Sequence, residues 1–257
     1  MNVVVRHQAR ALAALGHTVE ILTRRSDATS PASTQLDPGV TLRLLDAGPA
    51  HGVPKGDHEH FIEQFGVRTA ELGPYDVYHS HHWFSGMAAL PVARALGVPH
   101  VISFHSIAAD DTDPLSAGER AESGGRRAGE EYLARESDLV ITVSRAEADT
   151  VVERLGGSAA RIAVVSPGVD STMFHPAEGA DGSRPTDAAD AGGGSGYVVV
   201  AGRLQPLKGL DLAIAAIAAV PSAVRPELVI AGDASDDFAG YLDELSGLAA
   251  SLGTPSA

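Results

Sequence analysis

Two rhythms alternate along the chain. Val5, Ala9 and Leu12 recur at i, i+4 and i+7, with Leu15 behind them and Gly16 closing the run. That is the pattern of an amphipathic helix with a glycine C-cap. Thr18 to Thr23 (TVEILT) and Val40 to Leu45 then read as strands. The spacing predicts a helix over Phe61 to Glu71, a strand over Asp76 to Ser80, and a helix over Gly86 to Leu96 ended by Gly97. It continues with strand His100 to His105, helix Arg126 to Arg135, strand Asp138 to Val143, helix Ala146 to Leu155 and strand Arg161 to Val165. Strands alternating with helices imply parallel βαβ units. In such folds ligands bind at the C-terminal ends of the strands.

The rhythm breaks once. Gly, Asp, Ser, Ala and Pro dominate from Ala177 to Gly196, ending in Gly192-Gly193-Gly194-Ser195-Gly196, the composition of a flexible linker. Beyond it come strand Tyr197 to Ala201, helix Leu210 to Ala219, strand Glu227 to Ala231 and helix Phe238 to Leu252. The expected organisation is a first domain over 1–170, a linker over 171–196 and a second domain beginning at 197–257. The chain opens directly on Met1-Asn2-Val3-Val4-Val5 and closes on Gly253-Thr254-Pro255-Ser256-Ala257, where another strand is due, so both ends read as cut.

Composition narrows the function. A hydrophobic content of 44% is enough to build a core, and a net charge of −14 argues against nucleic acid as a partner. It leaves room for a small anion, because a few clustered cations outweigh the global charge locally. With no cysteine, neither a disulfide framework nor a thiolate zinc site can form. No signal peptide or apolar run of membrane-spanning length stands out, so the expected location is cytoplasmic.

The most informative segment is Gly202-Arg203-Leu204-Gln205-Pro206-Leu207-Lys208-Gly209, the loop after strand Tyr197 to Ala201. The chain has two lysines, Lys55 and Lys208, against 17 arginines. A lysine retained in such a composition marks a place for a compact three-donor charge. Arg203 and Lys208 at a strand end suit a bound phosphate. Spacing alone favours the plainer reading, a solvated helix-start lysine and a surface arginine, and the surrounding sequence has to decide. His79-Ser80-His81-His82-Trp83 closes another strand, with His79 and His81 on one face. With His105 they could hydrogen-bond hydroxyls and phosphate, or simply be packed and satisfied. A metal is not indicated, since no carboxylate stands at ligand spacing. Ser106 can donate to an anion, and Arg126 and Arg127 open a helix in the same half. No nucleophile elbow, GxxxxGK[ST] loop or GxGxxG after a strand is present, which disfavours a covalent intermediate and a dinucleotide oxidoreductase.

Taken in order, these pieces resemble the retaining glycosyltransferases of family 4, which have the two-domain GT-B fold. The resemblance is carried by MNVVVRHQARALAALGHTVEILTR, AGPAHGVPK, YDVYHSHHWFSG, VISFHS, VVSPGVDSTMFHP and VAGRLQPLKG, in family order over nearly the whole chain. The likeness is strongest to the branch of mycothiol biosynthesis that moves N-acetylglucosamine from its UDP donor to an inositol phosphate. It implies an α/β architecture of two Rossmann-like domains facing a cleft. The family's first strand and most of its second domain would then lie outside this chain.

The same resemblance implies the site. The cations that neutralise the donor diphosphate fall on Arg203 and Lys208, next to Gly202, and the histidine near the donor sugar falls on His105. Acceptor contacts fall on Asn2, Lys55, His82, Ser106 and Arg126. His82 stands where that branch has a tyrosine, Ser106 where it has threonine, and Ile107-Ala108-Ala109-Asp110-Asp111 is more acidic than its pattern. These departures leave the acceptor open. The implied partners are a small-molecule donor and acceptor, with a nucleotide sugar as co-substrate and no required cofactor; the resemblance allows a divalent metal, but no residue here identifies a site for one, and a homodimer is compatible. The alternatives are a non-catalytic, half-built ligand-binding module and a sucrose-synthesising type of glycosyltransferase. Without its first strand the first domain would expose unpaired edges, and the second would hold too small a core, so this chain by itself is expected to be inactive or unstable.

Overall fold

The structure, a computed structural model, describes residues 3–109, 124–175, 196–233 and 238–253. Two compact units divide the chain, the boundary falling between Gly168 and Val169.

The first unit opens with helix α1 (Val3–Ala14) and strand β1 (Val19–Arg24). Strands β2 (Ser33–Asp37) and β3 (Val40–Leu45) follow. β3 lies between β1, which runs parallel to it, and β2, which runs antiparallel. β2 was not expected. Its sequence, STQLD, is polar and mostly exposed, and pairing with β3 rather than apolar alternation makes it a strand.

A second sheet follows, built from β4 (Tyr78–His81), β5 (His100–Ser103), β6 (Leu139–Thr142) and β7 (Ile162–Val164), all parallel and in sequential order. Helices α2 (Ile62–Ala70), α3 (Trp83–Leu96), α4 (Arg126–Glu136) and α5 (Arg145–Glu153) flank it. Their apolar faces meet the sheet around Leu90, Ile102, Phe104, Leu133, Val140 and Val151. Among the described residues β1 and β4 are edge strands of separate sheets.

A polar tie joins the two sheets. Arg43 on β3 donates to Glu20 on β1 from Nη2 at 2.6 Å and Nε at 2.8 Å, and the Tyr75 hydroxyl donates to the same carboxylate. Tyr75 in turn meets Tyr78 of β4 edge to face, with ring centroids 5.3 Å apart. The hydrogen bonds from Arg43 hold the Glu20 carboxyl below its ordinary range.

The second unit holds β8 (Tyr197–Ala201), α6 (Leu210–Ala218), β9 (Glu227–Ala231) and α7 (Tyr241–Ser251). β8 and β9 pair in parallel, from Tyr197 opposite Glu227 to Ala201 opposite Ala231. Leu210, Ile214, Tyr241, Leu245 and Ala249 form the core on one face of this ribbon, joined by Leu204 from the loop after β8.

That loop is tied to the strand beside it. The Gly202 N–H donates to Ala231 at 3.0 Å, and the Leu204 N–H donates to Asp233 at 3.0 Å. The two chains run so close that a Cβ on Gly232 would lie 1.8 Å from the Gly202 carbonyl oxygen. Glycine is therefore demanded at 232. At Gly202 an added Cβ would meet only the Lys208 stem, at 3.7 Å. Gly232→Ala should accordingly destabilise the second unit by about 1–3 kcal/mol or more, read as a lower urea midpoint. Gly202→Ala should cost far less; equal losses would mean that the close approach is not what requires the glycine.

Candidate functional site

Because β4 to β7 are all parallel, their C-terminal ends lie along one edge, where a ligand would meet them. His81, Ser103 and Thr142 end β4, β5 and β6 there. Beyond β4 the chain turns at His82, with φ of 73°, and enters α3 at once. The helix therefore starts at Trp83, three residues before the expected Gly86. Beyond β5 it turns at His105, with φ of 60°, which stops the strand short of its expected end. Among the described residues these are the two non-glycine positions with positive φ. Such backbone costs on the order of 1–3 kcal/mol each and concentrates at functional sites. Both were marked by the sequence.

The imidazoles form a column. His79 and His81 share a face as alternation requires, with ring centroids 4.3 Å apart, and His81 stacks on His105 at 5.0 Å. His81 Nδ1 lies 2.7 Å from His105 Nε2, and His79 Nε2 lies 2.9 Å from Ser103 Oγ. Deeper in the sheet, His100 is held by Ser80 at 2.9 Å and Ser137 at 3.0 Å. Burial is the main reason these rings resist protonation, pushing His79 down to about 4, His81 to about 3 and His100 to about 4. His105 is lowered by burial as well, partly offset by the charge of Glu147. At neutral pH the column is uncharged, so one ring of the His81–His105 pair donates and the other accepts. His105 can then offer a hydrogen bond but not a cation. Of the two readings the sequence left open, packed and satisfied histidines describe His79 and His81. Among the described residues no group of three or more His, Asp or Glu side chains could hold a metal ion.

Ser106 and Arg126 come together. Arg126 Nη2 donates to the Ser106 carbonyl at 3.0 Å and to its Oγ at 3.1 Å. A pair of arginines opening a helix is usually solvated, yet Arg126 is 2% exposed. The reason is Glu130 one turn on, itself 1% exposed, whose Oε1 accepts from Arg126 Nε at 2.6 Å. Glu130 Oε2 accepts from the Ala108 N–H at 3.0 Å. Gly129 lets this turn press against Trp83, the neighbour of His82: a Cβ there would lie 2.7 Å from Trp83 Cε3. Lys55 opens the 3-10 segment Lys55–Phe61, and Glu59 of that segment accepts from the Gly125 N–H, just before α4, at 3.0 Å. The elements bearing Lys55, His82, Ser106 and Arg126 thus meet around the first turn of α4. Asn2, Asp110 and Asp111 lie outside the described residues.

In the second unit the loop after β8 sorts its side chains. Leu204 and Gln205 are buried, while Arg203 and Lys208 are exposed. Among the described residues neither cation has a hydrogen bond or ion pair. The short 3-10 turn Pro206–Lys208 brings the Lys208 stem back over Gly202. The loop offers two unspent cations on a tightly held backbone.

A model of the glycosyl transferase 4-like domain matches residues 1–168. The chain belongs to the glycosyl transferase 4-like family. Across its whole length it is 36% identical to the D-inositol 3-phosphate glycosyltransferase of Stackebrandtia nassauensis, of which it covers 60%. It therefore spans about three-fifths of that curated relative. Among solved structures, sucrose-phosphate synthase from Thermosynechococcus elongatus aligns with a TM-score of 0.77 at 21% identity, over 97% of this chain and 61% of the other. Anabaena HepE, solved with UDP-glucose, aligns with a TM-score of 0.58 at 19% identity, over 84% and 53%. The fold is the α/β, GT-B type fold of family glycosyltransferases. No helix among the described residues is long and apolar enough to cross a membrane.

Depressed histidines fix the sign of the pH dependence in the first unit. Between about pH 6.5 and 4 the unfolded chain binds protons that His79, His81 and His100 refuse when folded, so stability rises with pH over that window. Urea midpoints should fall from pH 7.5 to pH 5, and fall less in His81→Gln, which removes one of the three groups. An unchanged slope in that variant would show that His81 is not held neutral.

Proposed function

We propose that this chain carries the acceptor side and the diphosphate loop of a retaining glycosyltransferase. Its donor is a UDP-sugar, UDP-N-acetylglucosamine or another UDP-hexose, and its acceptor an inositol phosphate or a related polyol. In this reading residues 1–170 form the acceptor-binding domain, 171–196 a linker and 197–257 the start of the donor-binding domain. The observation that carries it is the loop of Gly202 to Gly209, which exposes Arg203 and Lys208 beside a parallel strand end while burying Leu204 to fix their backbone. The names of the relatives support the acceptor class, and the UDP-glucose held by HepE supports the donor class.

The chemistry follows from charge. The bond between the anomeric carbon and the diphosphate oxygen breaks while the acceptor oxygen bonds on the same face, and the acceptor proton passes to the departing diphosphate. Negative charge grows on the leaving oxygen, and Arg203 and Lys208 stabilise it. His105, neutral in its pairing with His81, holds a hydroxyl of the donor sugar rather than a charge. Lys55, Ser106, Arg126 and His82 with Asn2 hold the acceptor; no resident cofactor takes part.

Sugar transfer from a UDP-sugar to an inositol phosphate, followed in the full-length protein, tests this reading. Lys208→Ala should cut turnover by about a hundredfold or more and leave the acceptor KM nearly unchanged. Lys55→Ala should raise the acceptor KM without weakening the donor. Normal turnover in Lys208→Ala would remove the diphosphate role, and weakened donor binding in Lys55→Ala would move that lysine to the other substrate.

A further inference from the structure

Glu130 is absent from the residues that the family resemblance marks, yet it touches the elements that carry three of them. Its two carboxylate oxygens do separate work. Oε1 takes the Nε–H of Arg126 at 2.6 Å, and Oε2 takes the backbone N–H of Ala108 at 3.0 Å. Arg126 Nη2 then returns to the Ser106 carbonyl and hydroxyl, which closes a ring from α4 through the loop after β5 and back to α4. The adjacent Gly129 seats the same turn on Trp83, next to the strained His82.

We infer that Glu130 is the positioning residue of the acceptor-anion site, resting on the acceptor assignment proposed above. A guanidinium carries five N–H donors in a rigid plane. Taking up Nε fixes the rotation of that plane and with it the direction of the Nη2 donor that reaches Ser106. Binding Ala108 fixes the loop whose Ser106 stands beside it. One carboxylate thereby sets Arg126 and Ser106 relative to each other, and it does so while itself buried. Its charge opposes anion binding, while its geometry favours it. The pair is 2% and 1% exposed, and a buried charge-assisted bond of this kind holds direction far better than a solvated one. Geometry should therefore outweigh the charge.

The test is titration of the full-length protein with inorganic phosphate and with an inositol phosphate, comparing wild type and Glu130→Gln. Glutamine keeps the volume and one acceptor oxygen but cannot serve both partners as a carboxylate does. Affinity for both anions should fall at least tenfold and UDP binding should stay unchanged, in a variant whose circular dichroism shows the native fold at the titration temperature. Affinity within twofold of wild type, or higher, would overturn the inference, the latter because it would make Glu130 only a charge brake. If Glu130→Gln does not fold, exchange of the Arg126 Nε–H in the wild type decides. It should stay protected before and after phosphate is added, and losing protection on addition would mean that the guanidinium leaves Glu130 to bind. A wild-type chain that takes up neither anion would instead sink the acceptor assignment, and this inference with it.

Discussion

Parallel pairing governs this molecule. Strands that run the same way must each be followed by a return path, and every return begins at the same edge of the sheet. β4, β5 and β6 therefore hand their chains over side by side, and the side chains at those hand-overs come together whatever their distance in sequence. His81, His105 and Ser106 are neighbours for this reason, as are Arg126 and Glu130, brought over by the next helix. The second unit repeats the arrangement with two strands, and the loop after β8 carries the chain's other conspicuous cations.

Within that frame, burial decides what each polar group can do. The imidazole column is kept neutral chiefly because it is buried, so its members can steer hydrogen bonds but not supply charge. Arg126 is buried too, yet it stays paired because Glu130 lies within the same helical turn. Removing one partner of such a pair leaves a charge stranded in a medium that cannot solvate it, a loss of about 3–5 kcal/mol. Arg203 and Lys208 are the opposite case. They are exposed, their charges are unspent within the described residues, and the loop is held by its buried leucine rather than by them.

Much of this was legible in the sequence, and the rest failed for identifiable reasons. The alternation of helix and strand survived almost element by element, because each apolar run has one period and ends at glycine or a turn. β2 did not show, because an exposed edge strand needs no apolar face. Gly232 escaped notice because its necessity comes from the approach of Gly202, thirty residues away. Glu130 looked like one acid in a charged helix, RRAGEEYLARE, and only the face that α4 buries separates it from Glu131. The histidines were visible as a cluster, but whether they were spent on one another could be read only from their distances.

The two turns at His82 and His105 have a consequence beyond their placement. Each holds a bulky residue where glycine would sit without strain. Selection for heat resistance alone would find cheap gains there, by relaxing the backbone at the two junctions that aim the loops. The gains would come out of the orientation of the surrounding side chains, so at these two residues stability is set against the placement of their neighbours. Any attempt to harden this protein should leave them alone and look for its improvements in the exposed faces of the helices.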